Sequence, residues 1–310
     1  MRIGLVGMGN MGKNHFRILH ALSVDVVVCD QNPKVKGLLP AQTKYYQDLD
    51  AMLEAEKLDA IDICAPTTLH HKFAMRALEC NLDVFVEKPI ASTLSQAIEL
   101  REAAEKKGKC LFVGHIERFN PTVIALKKEL EGKQILALQF TRVGPMPPQI
   151  KDAGVMLDIG IHDVDLASYL SGQKITSVCC ARSDNGQYED AAQILLRLDK
   201  GATAIITTNW LTPFKSRKIE AITKEKMYIA DLIRGGIEAH FGFKAGNPPS
   251  FSTESISASN TEPLLLELTE FLRCISGPLP HKYDVGHAIC ALGAVEAAKK
   301  SATGKIEVKI

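Results

Sequence analysis

Residues 1–12 read MRIGLVGMGNMG, an apolar run that leads directly into the pattern Gly7-x-Gly9-x-x-Gly12. In a strand–turn–helix unit, the first glycine of this pattern permits a tight turn, the second lets the backbone approach a pyrophosphate, and the third allows close packing. The N-terminus of the following helix offers N–H groups and the positive end of a dipole to the phosphates. The pattern alone also fits a glycine turn without a ligand.

An acidic residue strengthens the prediction of a dinucleotide site. Asp30 follows the second apolar run, residues 25–29, where a carboxylate can bind both adenosine ribose hydroxyls and repel a 2′-phosphate. The position of Asp30 therefore predicts NAD rather than NADP. The alternative interpretation is that Asp30 only caps the local turn. The residues predicted to bind NAD at this motif are Gly7, Gly9, Asn10, Met11, Gly12 and Asp30.

The first third of the chain alternates short apolar runs with amphipathic stretches. The predicted strands span residues 2–6, 25–29, 60–64, 83–86 and 110–113, and the predicted helices span 10–22, 49–55, 70–80 and 94–107. Strands that are apolar on both faces and alternate with helices are typical of a parallel sheet covered on both sides. We therefore predict a doubly wound α/β domain of the Rossmann type over residues 1–119.

From residue 120 onwards, predicted strands follow one another with few helices between them. Helices are expected at 122–130, 158–170, 263–275 and 286–300, and strands at 135–143, 175–181, 191–198, 202–209, 218–223 and 227–233. This series predicts an α+β domain over residues 120–310, for substrate binding and oligomerisation, with an open, mainly antiparallel sheet. Its C-terminal helix can pack back on the first domain. Residues 247–260, rich in Pro, Ser and Asn, are predicted to form a loop.

Composition and charge exclude several classes of protein. The 310 residues carry 37 Lys+Arg and 36 Asp+Glu, a net charge of +1, so nucleic acid and anionic membranes are not expected partners. No apolar run reaches the roughly 20 residues that span a bilayer, and the N-terminus lacks signal-peptide features. The eight cysteines form no C-x-x-C pair and the histidines lack metal-ligand spacing. We therefore expect a cytoplasmic location and no metal site.

Three further motifs carry groups that can transfer protons or bind a substrate. Lys88 lies in Glu87-Lys88-Pro89 at the carboxyl end of a predicted strand, the edge at which open α/β sheets bind ligands. Asp158 and His162 are four residues apart and share one face of a helix, where the carboxylate can orient the imidazole. Each motif alone also fits a structural role. Segment 115–121, HIERFNP, fits either a substrate site or a hinge with ion pairs.

In this order, the motifs together resemble the glucose–fructose oxidoreductase, inositol dehydrogenase and MocA family over essentially the whole chain. The resemblance rests on the glycine pattern and on three further segments, residues 66–70 (PTTLH), Glu87-Lys88-Pro89 and Gly154-x-x-x-Asp158-x-x-x-His162. It implies hydride transfer between C4 of a nicotinamide and a carbon that bears a hydroxyl group. It implies a catalytic set of Lys88, Asp158 and His162, a cis peptide bond before Pro89, and cofactor contacts from Pro66, Thr67, His70, Glu87 and Lys88.

A narrower resemblance concerns the substrate. Segments 114–121, 144–151 and 158–165 resemble the subgroup that oxidises UDP-N-acetylglucosamine, or its uronate, at C3, and whose 3-keto product passes to an aminotransferase. A diphosphate needs cationic donors, for which Arg118, Arg142, Lys151 and Arg182 are available. The predicted substrate-binding residues are Arg118, Asn120, Lys151 and His162.

Two alternative functions and one assembly state complete the expectations. A free polyol or aldose dehydrogenase of the inositol kind fits the same motifs, as does a non-catalytic NAD-binding regulator, because a fold does not fix a function. Since one face of the second sheet has few helices to cover it, we expect a homo-oligomer.

Overall fold

The computed structural model describes residues 1–146, 153–184, 188–277 and 285–310, and the chain divides into two units. The first unit consists of Met1–Ile116 and Glu262–Ile289, and the second consists of Glu117–Thr261 and Cys290–Ile310. No helix in the described ranges is long and apolar enough to cross a membrane.

The first unit contains a six-stranded parallel sheet. Its strands are β1 (Arg2–Val6), β2 (Asp25–Cys29), β3 (Tyr45–Tyr46), β4 (Ala60–Ile63), β5 (Asp83–Glu87) and β6 (Leu111–Gly114), in the order β3-β2-β1-β4-β5-β6. Its helices up to this point are α1 (Asn10–Ala21), α2 (Leu49–Ala55), α3 (Thr67–Glu79) and α4 (Leu94–Lys107), with a 3-10 turn at Pro33–Leu38. A second 3-10 turn, Ile116–Phe119, begins at Ile116, and its other residues belong to the second unit. All paired strands are parallel.

Burial explains why these strands read as continuous apolar runs. Every residue of β4 and β6 is buried, because helices lie on both faces of a parallel sheet. The helices begin and end at local signals: the Thr93 side chain accepts a hydrogen bond from the backbone N–H of Gln96, and Gly108 ends α4 with a φ of 64°. The predicted doubly wound sheet is confirmed.

The second unit contains a nine-stranded sheet. Its elements are α5 (Pro121–Leu130), β7 (Ile135–Pro145), a π-helical turn (Met156–Gly160), α6 (Ile161–Ser171), β8 (Ile175–Asp184), β9 (Glu189–Leu198), β10 (Thr203–Asn209), β11 (Leu211–Thr223), β12 (Lys226–Asp231), β13 (Ile237–Lys244) and β14 (Ser250–Ile256). After α7 (Pro263–Ser276) and α8 (Gly286–Gly304), the short β15 (Val308–Lys309) completes the order β14-β13-β12-β11-β7-β10-β9-β8-β15.

This second sheet is mainly antiparallel, as predicted. Its one parallel pair among the described strands is β7 with β10, and the other pairs are antiparallel. One face buries side chains such as Phe140 and Ile206 in a core that includes Val164 of α6. The opposite face presents apolar side chains to solvent, among them Ile205 and Ile222, which are 47% and 41% exposed.

Two predicted elements differ from the structure. The prediction of a loop over residues 247–260 is wrong, because Ser250–Ile256 forms β14 and pairs with β13, a strand that the sequence analysis missed. Strand β14 is the edge of its sheet and is almost entirely exposed, so its backbone pairs without the buried side chains that reveal other strands. The predicted helix 158–170 begins as the π-helical turn and continues as α6.

Helix α7 belongs to the first unit, although it follows the second sheet in sequence. Phe271 packs edge-on against Phe85 and Phe112, with ring centroids 5.4 and 5.7 Å apart. Arg17 donates hydrogen bonds to both carboxylate oxygens of Glu262 just before α7. The division into units therefore differs from a single boundary at residues 119 and 120, because aromatic packing returns residues 262–289 to the first unit.

Candidate active site

The glycine pattern forms a tight turn between β1 and α1. A Cβ atom on Gly7, whose φ is 94°, would lie 2.8 Å from the backbone N of Ala65, and one on Gly12 would lie 1.9 Å from the Gly7 carbonyl oxygen. A Cβ on Gly9, in contrast, would meet no atom within 4 Å. The outer two glycines thus permit the turn, while the open space at Gly9, the N-cap of α1, leaves room for a phosphate.

Asp30 lies beside this turn in a cleft of about 590 Å³ that Gly7 and Pro66 also line. Its Oδ2 accepts a hydrogen bond from the backbone N–H of Met8 at 2.6 Å, and its Oδ1 accepts one from Asn32 at 2.8 Å. Each carboxylate oxygen has a second lone pair, so Asp30 can hold the glycine turn and still accept hydrogen bonds from a ribose.

Lys88 follows β5 at the carboxyl edge of the parallel sheet. The Lys88–Pro89 peptide bond is cis, as the family resemblance implied. The backbone N–H of Lys88 donates to Oε2 of Glu87 at 3.2 Å. On the other side, the ring nitrogens of buried His70 lie 2.8 Å from the carbonyl oxygens of Pro89 and Ala65. The backbone on both sides of the Lys88 side chain is therefore fixed by neighbouring elements.

A buried ionic triad supports Glu87, and the sequence analysis did not find it. His15 of α1 places Nδ1 2.8 Å from Asp62 of β4 and Nε2 3.0 Å from Glu87. A Cβ on Gly114 would lie only 2.9 Å from the Glu87 carboxylate, so Gly114 makes room for this side chain. Asp62 is a charged residue inside the apolar run 60–64, which is the signal that could have indicated a buried partner.

The charges of the triad shift its pKa values in opposite directions. Burial alone lowers the pKa of His15, but Asp62 and Cys64 together outweigh burial and hold the His15 pKa well above its ordinary value. Burial raises the pKa of Glu87, but the hydrogen bond and charge of His15, together with Lys88, outweigh burial and lower it. Cys64 also lies within 4.8 Å of His15 and Asp62 in a metal-like grouping. Because both ring nitrogens of His15 contact carboxylates, we interpret the grouping as an ion-paired cluster.

In the second unit, Asp158 and His162 lie on either side of a change in helix type. Asp158 is in the π-helical turn, with its backbone N–H bonded to the Gly154 carbonyl at 3.0 Å, and His162 is buried in the first turn of α6. Single π-helical turns occur frequently at functional sites. At the end of the turn, a Cβ on Gly160 would contact the Thr208 methyl at 3.4 Å, so the turn packs closely on β10.

A buried ion pair holds the helix that carries His162. Arg118 makes two hydrogen bonds to Asp165, at 2.7 and 2.5 Å, and its guanidinium lies 4.9 Å from the Tyr169 ring centroid. The Asn120 side chain caps α5 by accepting from Thr122 N–H at 3.0 Å. Arg118 and Asn120 thus form hydrogen bonds inside the second unit, whereas the sequence analysis predicted both as substrate-binding residues.

A second ionic network lies next to His162. Arg142 contacts Asp163 through Nε and Nη2 and donates from Nη1 to Glu117 at 2.7 Å. Arg217 of β11 donates from its own Nη1 to the same Glu117 oxygen at 3.0 Å. Burial alone lowers the pKa of Arg142, but Asp163 and Glu117 outweigh it and raise the pKa. Arg217 was not singled out from sequence, because a lone Arg in a strand carries no motif.

Arg182 and Lys151 are the other two cationic residues that the sequence analysis considered for binding a diphosphate. Arg182 of β8 is partly exposed and pairs with Asp184 at 3.2 Å. Lys151 lies outside the described residues. The structure thus groups Lys88, Glu87 and His70 in the first unit, and Asp158, His162 and the ionic networks in the second.

Comparisons with known proteins agree with both units. The model of the oxidoreductase family with an NAD-binding Rossmann fold matches residues 1–115, and the GFO/IDH/MocA C-terminal domain model matches residues 140–229. This chain belongs to the GFO/IDH/MocA oxidoreductase family.

Family relatives with curated activities cover nearly all of the chain. The UDP-N-acetylglucosamine 3-dehydrogenase of Acidithiobacillus ferrooxidans is 25% identical over 288 residues, which is 90% of each chain. The myo-inositol 2-dehydrogenase of Thermotoga maritima is 27% identical over 336 residues, 100% of this chain and 98% of its own. A solved structure of the A. ferrooxidans enzyme has a TM-score of 0.86 at 23% identity, over 97% of this chain and 98% of that one.

Membership of the GFO/IDH/MocA family confirms NAD as the cofactor. A solved levoglucosan dehydrogenase with NADH and levoglucosan has the same fold, with a TM-score of 0.86 at 20% identity over 100% and 99% of the two chains. Two features of this chain fit NAD. The open space at Gly9 leaves room for a phosphate, and the Asp30 carboxylate beside the turn can accept hydrogen bonds from a ribose. The protein is therefore an NAD-binding oxidoreductase.

Proposed function

We propose that this oxidoreductase oxidises C3 of a UDP-linked amino sugar, UDP-N-acetylglucosamine or its uronate, to the 3-keto sugar. The observation that carries the proposal is Lys88, whose backbone is fixed from both sides at the ligand-binding edge of the parallel sheet. The similarity to a UDP-N-acetylglucosamine 3-dehydrogenase over 90% of both chains supports the choice of sugar.

The proposed roles follow the family resemblance. Bound NAD would supply the hydride acceptor for the hydrogen on C3, at C4 of its nicotinamide. Lys88 hydrogen-bonds the reacting hydroxyl group, and His162 or Lys88 takes the hydroxyl proton as the carbonyl forms, while Asp158 orients or tunes this pair. Pro66, Thr67, His70 and Glu87 contact the cofactor.

His162 is also a proposed contact of the sugar, and Lys151 stays a predicted one. For Arg118 and Asn120 we propose positioning roles, because Arg118 pairs with Asp165 and Asn120 caps α5.

A second candidate is oxidation of a free polyol. It is favoured by the myo-inositol 2-dehydrogenase, which aligns with the whole of this chain. A cyclic polyol offers the same secondary alcohol chemistry but carries no diphosphate, so substrate choice separates the two candidates.

The test is a comparison of three substrates with NAD⁺. Purified protein is incubated with UDP-N-acetylglucosamine, with its uronate and with myo-inositol, and NADH is followed by absorbance. An aminotransferase that consumes the 3-keto sugar is added to parallel reactions, so that an unfavourable equilibrium does not hide the oxidation. Lys88→Ala is the control, with an expected loss in kcat of at least about 10²-fold, measured at saturating NAD⁺ because Lys88 is also a predicted contact of the cofactor.

The outcomes separate the candidates. NADH formed from a UDP-sugar and lost in Lys88→Ala supports the proposal. NADH formed only from myo-inositol moves the function to the polyol candidate. Tight NAD binding with no oxidation of any of the three contradicts both and favours a non-catalytic regulator.

A further inference from the structure

Two arginines face each other across the central strands of the second sheet. Arg142 of β7 and Arg217 of β11 are direct register partners. Arg142 is buried, and each of its three guanidinium nitrogens contacts a carboxylate of Asp163 or Glu117. Arg142 is therefore fully used within the protein, and we exclude it as the cation that binds a diphosphate.

Arg217 differs from Arg142 in both exposure and pairing. Its side chain is 39% exposed, and only Nη1 is bonded, to the Glu117 oxygen that Arg142 also uses. Within the described ranges, Nε and Nη2 of Arg217 have no hydrogen-bond partner. The guanidinium thus presents two adjacent donors, the arrangement that binds a carboxylate or phosphate through two parallel hydrogen bonds.

Burial and the neighbouring charges shift the pKa of Arg217 in opposite directions. Partial burial, and then the positive charge of Arg142, lower the pKa of Arg217 below its ordinary value. Glu117 and Asp163 act in the opposite direction, as does Asp158, which places Arg217 within electrostatic reach of a predicted catalytic residue. An oxyanion bonded to Nε and Nη2 would favour the charged guanidinium, which partial burial disfavours.

We propose that Arg217 recognises an oxyanion of the substrate, either the carboxylate of a uronate sugar or the diphosphate of a nucleotide sugar. This inference rests on the proposed function for the identity of the sugar. With Arg217 in this role, an anionic sugar is the preferred substrate and a neutral polyol is a poor one. Arg217 would act as a specificity residue, since it offers no proton at neutral pH.

The experiment measures binding and oxidation separately. NADH-loaded wild type, Arg217→Gln and Arg217→Lys are titrated calorimetrically with UDP-N-acetylglucosamine, its uronate, inorganic pyrophosphate and glucuronate. Arg273→Gln is the control, because Arg273 is an exposed arginine of the first unit that pairs with Glu270. Arg217→Gln is expected to fold, since Glu117 keeps its bond to Arg142, and a cooperative urea unfolding transition like that of the wild type checks this.

We expect Arg217→Gln to weaken binding of the anion at least tenfold, Arg217→Lys less, and Arg273→Gln by under twofold. A loss for the uronate and glucuronate alone identifies the carboxylate, and a loss for both UDP-sugars and pyrophosphate identifies the diphosphate. Unchanged binding in Arg217→Gln, or no anion bound by wild type, overturns the inference. If the anions bind through Arg217 but no UDP-sugar is oxidised, the proposed function fails while this inference stands.

Discussion

At the scale of single residues, the triad of His15, Asp62 and Glu87 places three ionisable groups out of contact with water. His15 and the Asp62 side chain are fully buried, and the Glu87 side chain is 9% exposed. Such a group is tolerated only because each charge has an opposite partner at hydrogen-bond distance. The imidazolium of His15 keeps Glu87 ionised, and Glu87 in turn binds the backbone of Lys88.

The triad predicts a pH-dependent stability. Since the His15 pKa is raised above 6.5, its contribution is complete below about pH 6.5 and is lost as pH rises through the folded-state pKa. Glu87, whose pKa is lowered from 4.5, contributes above that value and loses its contribution as pH falls through its folded-state pKa. We expect the unfolding free energy attributable to His15 to fall by about 1.4 kcal/mol per pH unit above pH 6.5.

Urea unfolding of wild type and His15→Gln at a series of pH values measures this slope. Within the window from 4.5 to 6.5, His15→Gln is expected to cost about 3–5 kcal/mol, because it leaves two buried carboxylates without a cation. The exposed His20→Gln should keep the wild-type slope. Parallel pH profiles for wild type and His15→Gln would contradict the assignment of a charged His15.

Asp30 predicts the choice between NAD and NADP. Its carboxylate would repel a 2′-phosphate, so Asp30→Ser should weaken NAD binding by about 10–100-fold and narrow the preference over NADP, measured as the ratio of the two affinities. Asp50→Asn is the control, because Asp50 lines the same cleft. An equal change in the control would show that the general charge of the cleft, and not Asp30, sets the preference.

At the scale of elements, α6 is held in its unit by charges as well as by apolar packing. Asp163 and Asp165 are both buried on this helix, and each pairs with an arginine from a different segment, Arg142 of β7 and Arg118 of the 3-10 turn. The two pairs fix the helix that carries His162. Removing one partner leaves the other charge buried without an opposite charge beside it.

Asp165→Asn is therefore expected to lower the free energy of unfolding by about 3–5 kcal/mol, as measured in urea. Glu254→Gln in the same unit breaks the exposed pair with Lys226 and should cost at most about 1 kcal/mol. Similar losses of unfolding free energy in the two variants would show that burial of the Arg118–Asp165 pair does not make its removal more costly than that of an exposed pair.

Elements with buried apolar residues could be predicted from sequence, and exposed or charge-paired ones could not. Strands β1 and β2 have the predicted bounds, because each begins at a half-buried or exposed residue that is followed by four buried ones. Strand β14 was missed, since an edge strand needs only backbone pairing. The π-helical turn was also missed, because it depends on packing against β10 and on no local pattern.

At the scale of the whole molecule, some site residues are close in sequence and could be predicted, whereas others meet only in the folded chain. The residues of the glycine turn and Asp30 are close in sequence, so spacing alone predicts their arrangement. His15, Asp62 and Glu87 meet only because α1, β4 and β5 are neighbours in the folded sheet. Arg142 and Arg217 likewise are far apart in sequence and meet only because β7 and β11 pair in this register. Long-range convergence of this kind has no signature in a single sequence.

The open face of the second sheet leads to the last prediction, a homo-oligomer that buries this face against a second copy. Ile205 pairs with Gln139 of β7, and Ile222 pairs with Ala137 of the same strand, so the two exposed isoleucines flank β7 on one face. Burial of such side chains contributes about 25 cal/mol per Å², and a charge placed among them opposes it. Ile205→Glu should therefore reduce the mass measured by light scattering after gel filtration. Leu38→Glu, at an exposed leucine of the first unit, should leave the mass unchanged. A wild-type protein that is monomeric at all concentrations, or an Ile205→Glu variant of unchanged mass, would show that this face is not the interface.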